Sequence, residues 1–261
     1  MAVFDTNACA ALIEELTAIT ARAAAAIRQC GAASLRHKAD GSPVTSADHA
    51  AELVILQELE RLAPGIPTVS EERSAHQAHP SQSEPYFLVD PLDGTREFIA
   101  GRDEFTVNIA LINRGTPLLG IIAAPAANLA WRGIVGHGAE RTTLSDQSGR
   151  TAIHTRPRPA HPVIMISRSH LDPGTKAYLA GWPEGSSVSC GSSIKFCRIA
   201  DGNADVYPRL APTHDWDVAA GHAIVVAAGG DVRAADGSQL VYGTPKRLIP
   251  DFVARGDPAE R

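Results

Sequence analysis

Apolar residues recur every three or four positions near the start of the chain, at Leu12, Leu16, Ile19, Ala23 and Ile27. They predict a helix that Asp5 can cap and Gly31 can end. After a loop containing Gly41 and Pro43, a second helix is predicted, capped by Thr45 or Ser46, with Ile55, Leu59 and Leu62 on its apolar face. The pattern then changes to short apolar runs, IPTVS, YFLVD, EFTVNIALI, PLLGIIAAP and LAWRGIVG, joined by polar or glycine-containing links that suit antiparallel strands. From His154 to about Ala211, strand and helix patterns alternate through PVIMIS, SVSCGSSIKFCRIADG and DVYPRL. A last helix is read in WDVAAGHAIVVAAGG, ending at Gly229 and Gly230, before a polar turn at Asp236 and Gly237 and a short tail. The expected chain is mixed α/β, with an α+β half over residues 1–150 and an α/β half over 151–261.

Composition narrows the function classes. With 261 residues, 44% hydrophobic and 20% charged, the sequence describes an ordinary globular protein. Its net charge of −5 argues against binding a nucleic-acid polymer, and a phosphorylated ligand would need positive charge gathered locally. The first residues lack the pattern of a signal peptide. The longest uncharged stretch, Thr116 to Trp131, is too short for a transmembrane segment and is interrupted by Pro117, Gly120 and Pro125. Four cysteines without a close CxxC pair suit free thiols in a cytoplasmic protein.

The chemistry is concentrated in YFLVDPLDGT. A buried strand delivers Asp90; Pro91 is expected to end it, and Gly94 permits a turn that brings Asp93 back beside Asp90. Two such carboxylates repel unless a cation lies between them, and oxygen ligands favour a hard ion such as Mg²⁺. An Asx-type turn that merely caps the next helix is the competing reading. Two further acids stand at element ends: Glu71, beside Glu72 after IPTVS, and Asp217 at the start of the WDVAAG helix. Either could instead be ordinary, a solvated loop residue or a complement to a helix dipole.

SEE at Glu71, DPLDGT from Asp90 to Thr95, and WDVAAG at Asp217 together resemble the lithium-sensitive, magnesium-dependent inositol monophosphatase superfamily. The resemblance implies a layered αβαβα sandwich and a catalytic centre of two or three Mg²⁺ ions. Their ligands would be Glu71, Asp90, the Leu92 carbonyl, Asp93 and Asp217. It implies that Thr95 orients the attacking water and that Asp48 partners Thr95, although Asp48 also reads as a capping-box acid three residues after Thr45.

The segments SRSH, GSSIKFCRIADGNADVYPRL and APTHDWDVAAGHA, with DPLDGTREFIAGRDEFTVNIALI, are similar to the CysQ-type 3′(2′),5′-bisphosphate nucleotidase branch. That resemblance implies hydrolysis of adenosine 3′,5′-bisphosphate to AMP and phosphate, in sulfur assimilation and nucleotide recycling. His170, Ser192, Lys195 and Arg209 would hold the nucleotide, with Gly94, Thr95 and Asp217 at the reacting phosphate. From residue type alone, Lys195 reads equally as a solvated helix position and Arg209 as a surface ion pair. No tryptophan is assigned to the base. Ala211 stands in APT where relatives are expected to carry glycine. An inositol monophosphatase, a sugar bisphosphatase and a noncatalytic adenosine-bisphosphate-binding protein are the alternatives. The sequence leaves open a homodimer and a peripheral association at the inner face of the membrane.

Overall fold

The computed structural model describes residues 6–30, 35–38, 41–77, 80, 82–169, 171–257 and 259. The first helix, α1 (Thr6–Cys30), is rich in alanine and buries Leu12, Leu16, Ile19, Ala23 and Ile27 as expected. Its expected terminal residues, Asp5 and Gly31, lie outside the described residues. In place of a simple loop, β1 (Arg36–His37) and β2 (Pro43–Val44) form a small antiparallel hairpin. The second helix, α2 (Ser46–Leu62), starts in a capping box between Thr45 and Asp48 and packs against α1.

A seven-stranded sheet follows. It contains β3 (Thr68–Ser70), β4 (Tyr86–Asp93), β5 (Thr106–Asn113), β6 (Thr116–Ala124), β7 (Leu129–Ile134), β8 (Gly138–Thr143) and β9 (Thr151–Ile153), in chain order. A 3₁₀ turn, Glu71–His76, follows β3, and the short helix α3 (Thr95–Ile99) follows β4. The sheet is covered on both faces, so alternate residues of one strand enter different cores. Phe87, Val89, Val107, Ile109, Leu119 and Ile121 face α1 and α2, while Tyr86, Leu88, Ala110, Ile112, Ile122 and Trp131 join the core around α6. Burial on both faces makes these strands read as unbroken apolar runs.

The remaining elements are β10 (Val163–Ser167), α4 (Pro173–Ala180), β11 (Ser186–Cys190), α5 (Ile194–Ala200), β12 (Val206–Arg209), β13 (Thr213–His214), α6 (Asp215–Ala227), β14 (Asp231–Ala234), β15 (Leu248–Ile249) and β16 (Phe252–Arg255). A second sheet has the order β11-β10-β12-β16-β14, with α4 packed beside β12. The layers therefore run α1/α2, seven-stranded sheet, α5/α6, five-stranded sheet, α4, which is the expected αβαβα sandwich. Among the described residues, no helix is long and apolar enough to cross a membrane.

Two local expectations are corrected. The strand does not stop at Pro91: β4 bulges there, since Asp90 lies opposite Asn108 but Asp93 lies opposite Thr106. Pro91 has no ladder N–H to give, and β3 is too short to pair with β4 beyond Val89. Asp217 lies in the first turn of α6, as expected. The presumed C-terminal tail supplies β16, which lies antiparallel between β12 and β14.

Close approach of α6 to the first sheet depends on Gly120. A Cβ built there would lie 2.4 Å from the Ala220 carbonyl oxygen, and neither backbone can yield easily. Gly120→Ala is expected to lower the unfolding free energy by about 1–3 kcal/mol, the usual cost of forcing a methyl into a packed core. Urea denaturation measures it, and an unchanged midpoint would show that the layers separate without cost.

Candidate active site

The site is built where strands end. Strands β3 and β4 are parallel, with Ser70 opposite Val89, so the next residues along each, Glu71 and Asp90, emerge at the same edge. The bulge after Asp90 brings Asp93 to that edge as well. Gly94 then turns the chain with φ +91, and a Cβ there would lie 2.9 Å from the Glu104 carbonyl oxygen, so glycine is required twice over. From the other side, the N-terminal turn of α6 carries Asp217. These acids, with Leu92, Gly94, Thr95, Ser192, Lys195 and Arg209, line one cavity of about 390 Å³. Asp48 lies buried behind Thr95. His170 lies outside the described residues.

Hydrogen bonding engages one oxygen of each of several acids. Asp90 Oδ1 accepts from the Leu92 N–H at 3.1 Å, and Asp93 Oδ2 accepts from the Ser193 hydroxyl at 2.7 Å. Asp217 Oδ2 accepts from the Thr213 hydroxyl and the His214 N–H. Asp48 Oδ2 accepts from the Thr45 N–H at 2.8 Å and hydroxyl at 2.6 Å, while its Oδ1 lies 3.0 Å from Thr95 Oγ1. The Asx turn at Asp90 and the capping box at Asp48 therefore both exist, and both leave an oxygen for other work.

Electrostatics explain what that work requires. Burial, and then the charges of Glu71, Asp93 and Asp217, holds the Asp90 carboxyl well above the usual carboxylate range. Burial pushes Asp217 up to about 8, with Asp93 and Glu71 adding to the effect. Glu72 rises to about 7 through burial and the Glu71 charge. One cation of the chain answers this charge: Lys38 of the hairpin lies 2.6 Å from Glu71 and 2.7 Å from Glu72. Its ammonium is held above its ordinary pKa although burial opposes it, because the two glutamates outweigh that penalty.

Among the described residues, no three acidic, histidine or cysteine side chains stand together as a ready-made metal-binding group. Mg²⁺ does not need one, since it keeps several waters and takes few protein ligands. The donors here are all oxygen, their neighbours drive them toward protonation, and a bound cation relieves that same repulsion. The residues fit a hard divalent ion.

The same cavity also has a cationic and polar lining. Lys195 is buried, not solvated; its ammonium donates to the carbonyls of Cys190, at 3.2 Å, and Ser192, and it lies 5.1 Å from the centre of the Tyr207 ring. Arg209 is half-buried, and its Nε has no hydrogen-bond partner among the described residues. The Ser192 hydroxyl is likewise buried and unpartnered, on a residue held at φ +47. Ala211 has no such left-handed φ, so its methyl imposes no backbone strain. Sequence reasoning missed Lys38, Ser193 and Thr213, because each acts through a contact distant in sequence or made by a common residue type.

A sequence profile of the inositol monophosphatase family matches residues 5–255. The 3′(2′),5′-bisphosphate nucleotidase CysQ of Shigella flexneri is 47% identical over 219 residues, covering 82% of this chain and 86% of that protein. Its counterpart of the same name from Salmonella typhimurium is 44% identical over 249 residues, covering 92% and 98%. The crystal structure of CysQ from Bacteroides thetaiotaomicron superposes with a TM-score of 0.77 at 34% identity, covering 93% of this chain and 97% of that one.

The raised Asp217 pKa has a sign that can be tested. Between its ordinary value of 3.8 and about 8, the unfolded chain releases a proton that the folded chain keeps, so stability without metal falls as pH rises through that window. In chelator, Asp217→Asn should melt with a shallower decline from pH 5 to 8 than the wild type. Parallel declines would remove Asp217 from the repelling set.

Proposed function

The chain belongs to the inositol monophosphatase family, and on that premise we propose that it is a Mg²⁺-dependent phosphomonoesterase hydrolysing adenosine 3′,5′-bisphosphate to AMP and phosphate. The observation that carries this reading is one cavity lined both by the acids Glu71, Asp90, Asp93 and Asp217 and by the cations Lys195 and Arg209. A substrate with two phosphates suits that combination. The residues before 151 supply three of these acids, and residues 151–261 supply Asp217 and both cations.

Glu71, Asp90, Asp93, Asp217 and the Leu92 carbonyl would hold the metal. When bound, Mg²⁺ supplies Lewis acidity at the phosphoryl oxygens and lowers the pKa of water. Thr95 would orient that water: with its single proton directed to Asp48 Oδ1 at 3.0 Å rather than to the Leu92 carbonyl at 3.1 Å, its oxygen can accept a hydrogen bond from the water, and a proton taken from the water is matched by release of its own to Asp48. The backbone around Gly94 and Thr95 offers N–H groups to the reacting phosphate. Arg209 takes the 5′-phosphate through its guanidinium, whose Nε has no hydrogen-bond partner among the described residues, and the Ser192 hydroxyl adds a further short donor. Lys195 fixes the Cys190–Ser192 turn and presents its charge to the same phosphate. His170 completes the nucleotide contacts in this reading. The enzyme would work in the cytoplasm, with a homodimer and a weak association with the inner membrane face as further parts of the proposal.

A substrate panel with Mg²⁺ tests the identity. Adenosine 3′,5′-bisphosphate should be turned over far faster than inositol 1-phosphate or fructose 1,6-bisphosphate, and chelator should abolish the rate. Preference for either competitor would assign the enzyme to a different branch. Arg209→Ala should lower kcat/KM for the bisphosphate about tenfold to a hundredfold, the loss of about 1.5–3 kcal/mol from a charged hydrogen-bond partner. Adenosine 3′-monophosphate should be affected much less; equal proportional losses would refute a 5′-phosphate pocket at Arg209.

A further inference from the structure

Ser193 stands at the N-cap of α5, where a serine hydroxyl ordinarily accepts a bond from the first turn of its helix. This one makes no such cap bond. Its Oγ instead accepts from Asn108 Nδ2 at 2.9 Å and lies 2.7 Å from Asp93 Oδ2 and 3.1 Å from the Asp217 carbonyl oxygen. Both Ser193 and Asn108 are buried, at 2% and 1% exposure, and Asn108 interrupts the apolar run of β5. Neither the helix cap nor the strand pattern accounts for the pair.

Counting protons decides the direction. Ser193 has one O–H and two lone pairs. The Asn108 N–H occupies a lone pair and turns the hydroxyl proton away from itself. The nearer and charged acceptor is Asp93 Oδ2, so that oxygen is held, and Asp93 Oδ1 is left without a hydrogen bond among the described residues. The Asp217 carbonyl oxygen, 3.1 Å away, is the farther acceptor within reach of the same proton.

Resting on the proposed metal-dependent reaction, we propose that Ser193, aligned by Asn108, is a positioning residue that fixes the Asp93 carboxylate in its metal-binding orientation. In this role Ser193 acts through Asp93. It removes the rotation of a metal ligand before the metal arrives. Partners of this kind typically contribute a factor of about 10 to 100 in metal affinity.

The test is calorimetric titration of substrate-free protein with Mg²⁺, beside steady-state kinetics. Ser193→Ala should bind Mg²⁺ about tenfold more weakly or worse. Its kcat/KM should fall at limiting Mg²⁺ and recover in part at saturation, with KM for the bisphosphate nearly unchanged. Ser193→Thr, which keeps the hydroxyl, should restore most of the affinity. Asn108→Leu approaches the pair from the other strand and should cause a smaller loss of the same sign, which keeps the test decisive if Ser193→Ala does not fold. Wild-type Mg²⁺ affinity in Ser193→Ala, equal losses in the alanine and threonine variants, or no loss in a folded Asn108→Leu would each overturn the inference. The two readings fail differently: a wild-type protein that binds Mg²⁺ but ignores adenosine bisphosphate overturns the substrate, and leaves the positioning role measurable.

Discussion

Mutual repulsion among buried carboxylates is the constraint around which this structure is organised. Glu71, the β4 pair Asp90 and Asp93, and Asp217 arrive from three elements, and Asp90 and Asp217 are pushed toward protonation by burial and by the neighbouring acids. The fold tolerates this because each approach is fixed by something else. Parallel pairing fixes Glu71 beside Asp90, the β4 bulge returns Asp93, and the α6 turn is held by its own cap. Lys38 supplies a partial counter-charge from the hairpin.

An acid that closes a helix cap can still present its other oxygen elsewhere, and two acids here do so. Asp48 closes the Thr45 capping box with Oδ2 and meets Thr95 with Oδ1. Asp217 accepts the His214 N–H of its own helix cap and still lines the cavity. Capping thereby acts as an orienting device: the bond that satisfies an orphan N–H also determines which carboxylate oxygen remains.

Much of this arrangement was legible in the sequence. The strong periods of α1, α2 and the buried strands identified the main layers, and the spaced motifs identified the acids of the cavity. The weaker elements were less visible for physical reasons. Strands β8 and β9 lie at a sheet edge with mixed burial and little alternation, and the β1–β2 hairpin has two residues on each side. The β16 strand, FVAR, is too short to distinguish from a tail. Lys195 looked solvated because charge predicts exposure. Only its contacts with the Cys190 and Ser192 carbonyls explain its burial. Ser193 could not be singled out because a serine before a helix suggests a cap.

The position of α6 bears on inheritance. Its backbone presses on Gly120 of the first sheet, and its own Gly221 admits the Phe196 ring from α5, so the helix is enclosed on both sides by close contacts. A gene fragment ending near residue 150 would encode a sheet with one apolar face bare, and the complementary fragment would encode a helix with no sheet to rest on. Such halves cannot be exchanged between proteins like beads on a string. A lineage with this layout must acquire new specificities by substitution in place, around a cavity whose acids and cations descend together.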